Sequence, residues 1–195
     1  MPVEVKNIFT GAPDQLTTGA ILSADTGTTL PTEAGAAVDA AFKDSGYINE
    51  DGLKIGTNSS STDIKDWSGN IVRSIMSEYG NQLTWAHMEL SEQSLKNFLG
   101  DDNVTVTPAD ATNGTRITAR FNADEMPIKS WVFKIKDGAR KLLVVVPLGQ
   151  VSERGEISLT KSEAITLPIT LKTYPDASGN HLYWYSDDGV LQGAA

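Results

Sequence analysis

The chain has 195 residues, 39% of them hydrophobic and 21% charged, with a formal net charge of −9. That length supplies one domain with a real core; the absence of cysteine excludes disulfides and thiolate chemistry. Acidity argues against a nucleic-acid binder, whose affinity rests on neutralising phosphates, and the longest apolar run, Leu142 to Val146, is too short to cross a bilayer.

Taken in chain order, residues 1–37 read as an extended N-terminal arm. No signal peptide is expected there, because Glu4 stands where positive charge belongs and no apolar stretch follows. Ile8, Phe9, Leu16, Ile21 and Leu22 supply anchors, while Gly11, Pro13, Gly19, Gly27 and Pro31 interrupt any long element. Such an arm must lie on another surface, either its own domain or a neighbour. A β core is predicted over 38–185 and a small polar tail over 186–195. Tyr47-Ile48 and Leu53 with Ile55 flank a turn at Glu50-Asp51-Gly52. A Ser/Thr/Asn-rich loop, 56–69, then leaves the β framework and returns through Trp67. A long polar loop with an apolar anchor is more often a contact device than slack.

Ile71 to Tyr79 and Gln82 to Leu90 are strand candidates, with Gly80-Asn81 placed as a two-residue hairpin turn. Leu83, Trp85 and His87 share one face of the second strand; Thr84, Ala86 and Met88 share the other. One short helix is predicted at about 91–99, capped by Ser91, stopped by Gly100 and carrying the stripe Leu95, Phe98 and Leu99. Further strands are expected at 104–106, 115–121 and 128–135. A turn at 136–139 then leads into 140–146, apolar on both faces and therefore central. Strands at 157–159, 165–171 and 183–185 complete the pattern, Pro168 marking an edge or a bulge. Many short strands with one flanking helix make the fold mainly β, a sandwich or partly closed barrel.

Little in the sequence points to catalysis. The two histidines, His87 and His181, stand apart from ligand-spaced partners, and a packed or half-exposed imidazole is expected for His87. The carboxylate pairs Glu50-Asp51, Asp101-Asp102, Asp124-Glu125 and Asp187-Asp188 sit in turn sequences, where such residues bond locally to the backbone. General acid–base work needs two carboxylates converging on one cleft. No nucleotide-binding, metalloprotease or hydrolase motif is present, so no enzyme, cofactor or metal site is expected. Lys129, Lys134, Lys136, Arg140 and Lys141 straddle one turn and read as a solvated hairpin. Trp85, Trp131 and Trp184 lie in strands and are expected in the core. Trp67 either folds back onto its own sheet or anchors a partner.

Several blocks carry a family likeness: I-F-T-G-A-P-D-Q-L-T-T-G-A-I-L-S-A, S-T-D-I-K-D-W-S-G, S-L-K-N-F-L-G-D-D-N-V-T, S-W-V-F-K-I-K-D-G, P-L-G-Q-V-S-E-R-G-E-I and L-P-I-T-L-K-T-Y-P-D-A-S-G-N. In order and over essentially the whole chain, it resembles the major tail proteins of long-tailed phages, closest to tail tube subunits of non-contractile phages of actinobacterial type. The resemblance implies hexameric rings stacked into a tube that passes the genome and a tape-measure protein. Tail terminator and distal tail proteins would meet the tube ends. The product would be a virion tail component assembled in the host cytoplasm, without a membrane partner. By that analogy 58–69 bridges rings through Asp63, Ile64, Lys65, Asp66 and Trp67, and Ile8 and Phe9 of the arm touch a neighbour. Six copies at −9 sum to −54, a charge that would discourage DNA from adhering to the lumen. Two other readings stay open on the residues alone: a glycan-binding or adhesin-like β-sandwich using loop aromatics, and a hydrolase whose carboxylates meet only in the fold.

Overall fold

The computed structural model describes residues 8–14 and 19–191. Residues 1–7, 15–18 and 192–195, including Leu16 and the outer parts of the expected arm and tail, lie outside the described residues.

The elements follow as β1 (Ala12–Pro13), β2 (Ile21–Asp25), β3 (Lys43–Asp44), β4 (Lys54–Lys65), β5 (Ile71–His87), α1 (Glu92–Leu99), β6 (Val104–Thr107), β7 (Arg116–Ala119), β8 (Ile128–Asp137), β9 (Arg140–Arg154), β10 (Leu167–Tyr174) and β11 (Tyr183–Asp187). One antiparallel sheet runs β3-β2-β8-β9-β10-β5-β4, with β1 beside β8 and β11 beside β9; β6 and β7 form a separate ribbon. The sheet does not close into a barrel. Along one edge of β9, residues Lys141–Val145 pair with β11 and Leu148–Arg154 pair with β10. The two partners therefore divide the long strand between them.

β9 is apolar on both sides because both sides are covered. Leu142, Val144 and Val146 join Ile21, Leu83, Trp85, Trp131 and Phe133 in the larger core, closed by Phe98 and Leu99 of α1. Leu143 and Val145 join Leu22, Phe42 and Val132 in a smaller cluster flanked by Tyr183 and Tyr185. Burying side chains of this size stabilises by roughly 1.5–3 kcal/mol each before the entropy of ordering is subtracted. The β8–β9 register shifts at Pro147, which has no N–H to give: Lys129 lies opposite Gly149, and the next pair is Trp131 with Val146. Ser130, skipped by the ladder, donates its hydroxyl to the Pro147 carbonyl at 2.7 Å. Gly149 is needed for close packing, since a Cβ there would stand 2.9 Å from Trp131 Cδ1 and 3.0 Å from Leu171 Cδ2.

Helix α1 forms where its sequence places it. Ser91 accepts from the Ser94 N–H while Ser94 returns the bond to the Ser91 N–H, and Gly100 ends the helix with φ 95°. Besides its apolar stripe it docks through buried Asn97, which accepts from Ser23 Oγ at 2.8 Å and donates to Ser45 Oγ at 2.7 Å.

Several expectations are corrected. Gly80-Asn81 is not a turn: both residues lie inside β5, opposite Asn58 and Thr57, and Asn81 is buried. The ladder with β4 overrides a dipeptide that would turn on its own. Residues 21–25, within the expected arm, lie on the domain's own sheet, one of the two surfaces open to them, as a buried strand paired with β8. No strand forms at 157–159. β10 is an interior strand, not an edge. Pro168 is tolerated because its partner Ala86 turns its carbonyl to the Asn49 N–H (2.9 Å), while the β9 ladder begins at Ile169. Lys129 is not solvated either; it is buried and paired with Asp101 at 2.6 Å.

Candidate assembly interface

The loop expected at 56–69 is the end of a long β-hairpin. β4 and β5 pair from Lys54–Thr84 to Lys65–Ile71, whereas β10 supports β5 only over Gln82–His87. Past that point, among the described residues, the two strands pair only with each other. Every residue of β4 and residues 71–79 of β5 are exposed. At about 3.3 Å per residue, the free ribbon from Gly56 to Lys65 extends roughly 30 Å.

Its tip is locked by local bonds. The Asp66 N–H donates to the Asn70 carbonyl at 2.9 Å and the Gly69 N–H to the Asp66 carbonyl at 3.0 Å. The Asp66 carboxylate accepts from the Asn70 N–H at 2.8 Å, and the Asn70 bonds hold its carboxyl below the usual range. Gly69 supplies φ 87°, a conformation its neighbours could not adopt cheaply. Trp67 projects from this turn fully exposed. It does not fold back onto its own sheet.

The ladder skips Ser77 and Val72, so two bulges interrupt it. Cross-strand pairing sets the faces. Thr62 with Ile75 and Ile64 with Arg73 line one side; Ser59 with Tyr79 and Ser61 with Met76 line the other, which continues the core face of Leu83. Ile64, Ile75, Met76 and Tyr79 are between 44% and 64% exposed, so neither face is purely polar.

Of the expected contact residues, five come together at this tip. Asp63 accepts from Ser74 Oγ at 2.6 Å, Ile64 lies opposite Arg73, Lys65 lies opposite Ile71, and Asp66 and Trp67 form the turn. Ile8 and Phe9 are elsewhere. The Ile8 carbonyl accepts from Arg140 Nη1 at 2.9 Å, and Phe9 packs half-buried at the margin of the larger core. Sequence reasoning missed Ile71, Val72, Ile75, Met76 and Tyr79 as interface candidates by reading them only as one more strand of the β framework. The available signal was apolar residues at both odd and even positions of a strand with few core partners.

Near the hairpin's base, the inner face of the sheet is left open. A groove of about 840 Å³ is lined by Phe9, Leu53, Ile55, Ile135, Leu142 and Trp184, with Asp187 and Asp188 at its rim. Trp184, expected in the core, is 59% exposed here because β11 ends the sheet on this side. Each rim carboxylate accepts from a backbone N–H two residues on, Gly189 and Val190, at 2.9 Å. A smaller cavity of about 340 Å³ shares Ile55 and Trp184 and is flanked by Tyr79 and His181, whose rings meet edge to face at 5.1 Å.

His87 is buried, its Nε2 accepting from Trp85 Nε1 at 3.0 Å. Burial pushes its pKa down to about 4 against the pull of the Asp44 charge, so it is neutral at pH 7. Among the described residues no three His, Asp or Glu side chains converge on a metal-sized site, and no helix is long and apolar enough to cross a membrane.

Among solved structures, the chain is similar to the cryo-EM structure of the anti-feeding prophage cap, the tube-terminating cap, at 9% identity and a TM-score of 0.45, covering 96% of this chain and 100% of that one. No curated protein matches the sequence. The family model described as phage tail tube protein matches residues 16–195, nearly the full length. The chain belongs to the phage tail tube protein family and is a structural component of the virion tail.

Proposed function

We propose that copies of this chain form hexameric rings that stack into the tail tube of a long-tailed, non-contractile phage, the conduit for its genome. The observation that carries the stacking is the β4–β5 ribbon, which exposes apolar side chains on both faces with little cover from the described residues of its own chain. A soluble monomer rarely leaves such a surface open. The free outer edge of β4 points the same way, since an unpaired strand edge is a template for another chain. Asp63, Ile64, Lys65, Asp66 and Trp67, together with Ile8 and Phe9, are the proposed contacts between copies. The tape-measure protein and DNA would occupy the lumen during assembly and ejection, and terminator and distal tail proteins would close the ends. Assembly would take place in the host cytoplasm.

Negative-stain microscopy of the purified chain tests this directly. Rings or tubes are expected, with six-fold end views. A persistent monomer that binds glycan would replace this reading with the adhesin-like one.

A further inference from the structure

We propose that Trp67 of one copy seats in the groove of another copy, against Phe9, Ile55 and Trp184. This inference rests on the stacked-tube reading above and adds the socket to it.

Four observations converge. The first is reach. Ile55, in the groove, and Trp67, at the tip, belong to the same hairpin and are separated by the β4 ladder. Twelve residues of paired strand span roughly 40 Å, so a chain cannot bring its Trp67 to its own groove without breaking that ladder. The second is size and chemistry. Trp67 is fully exposed, and an indole needs roughly 150–250 Å² of apolar cover. The groove, at about 840 Å³, is apolar, open and flanked by two aromatic rings, with room for Ile64 beside the indole. The third is charge. At the tip, Lys65 and Arg73 balance the exposed carboxylates of Asp63 and Asp66, so the tip has no net charge for an acidic surface to repel. The groove holds Arg140 with Asp187 and Asp188, so knob and socket meet without strong repulsion. The fourth is symmetry. Knob and socket are different patches of one surface, so the contact is heterologous and repeats without closing along the stack.

The same geometry bounds the assembly. If each tip reaches one socket, successive rings stand no more than roughly 40 Å apart, the length of the paired ribbon.

The absence of cysteine makes a clean cross-linking experiment possible. Ser68→Cys, beside Trp67, and Ser186→Cys, lining the groove, are made as single variants of the full chain, mixed, assembled and mildly oxidised. A disulfide needs Cα atoms within about 7 Å. A Ser68–Ser186 cross-link between copies is expected, and Thr112→Cys in place of Ser186→Cys should give none. Trp67→Ala should abolish the cross-link and raise the concentration needed for stacking roughly tenfold or more, as loss of an interface anchor does. Tubes that form without the Ser68–Ser186 cross-link overturn the socket while leaving the stacked tube standing. That result would point to another occupant, such as the chain's own terminal residues. If no rings or tubes form with the unmodified chain, the tube reading fails and the socket falls with it.

Discussion

His87 and Trp67 are opposite cases of a large ring side chain on the same strand pair. His87 is sealed in the core, its neutral form accepting from Trp85. Its pKa falls from 6.5 to about 4 on folding, so between those values the unfolded chain binds more protons than the native one. Stability from this group is therefore complete above pH 6.5 and is lost as pH falls toward 4, by about 3 kcal/mol in all. Urea unfolding at pH 7, 5.5 and 4 should show that decline. His87→Leu should flatten it, at a cost of about 1–3 kcal/mol at pH 7 because the Trp85 N–H loses its acceptor. The alternation Leu83, Trp85, His87 was legible in the sequence because a strand buried on one face writes its burial with period two. Trp184 was not. Its strand alternates in the same way, but the cover that would make it core is missing, and cover is a property of tertiary placement.

At the scale of elements, the hairpin and the helix show what sequence carries and what it does not. The helix was readable to the residue, since Ser91, Ser94 and Gly100 fix its ends by local bonds. The hairpin is visible as an excursion and Ile71–Tyr79 reads as a strand, but residues 56–65 read as loop because Gly, Asn and Asp are weak strand formers and Ser favours turns. A ladder of paired backbone made them strands regardless. Pairing is non-local, so Gly80-Asn81 looked like the turn while Asp66–Asn70 was the real one. Because the ribbon beyond Tyr79 belongs to neither core, replacing residues 60–78 with an Asn-Gly turn, which keeps the Ser59–Tyr79 pair, should shift monomer stability by no more than about 0.5 kcal/mol. The urea midpoint checks this, and the same variant should no longer form tubes under the microscope.

For the whole molecule, the acidic balance opposes the assembly that the apolar surface favours. Copies at −9 repel one another at low salt, and the repulsion is screened over about 10 Å at 0.1 M ionic strength. Raising salt from roughly 0.02 to 0.15 M should therefore lower the concentration at which light scattering reports assembly. A rise instead would mean that cross-copy ion pairs, such as Lys65 or Arg73 with the Asp187–Asp188 rim, outweigh the net charge. The mainly β class, the central β9 and the helix α1 are legible in the sequence, because burial pattern and capping encode them. The groove could not, since its walls come from five separated segments of chain.

The direction of the hairpin also has a mechanical meaning. If stacked copies are held by the tip of the ribbon, a pull along the stack loads β4 and β5 lengthwise, parallel to their axes. The ladder's hydrogen bonds run across the strands, so under that load they are sheared together instead of unzipped one after another. A ribbon that adds almost nothing to the stability of its own domain is thereby suited to carry tension between domains.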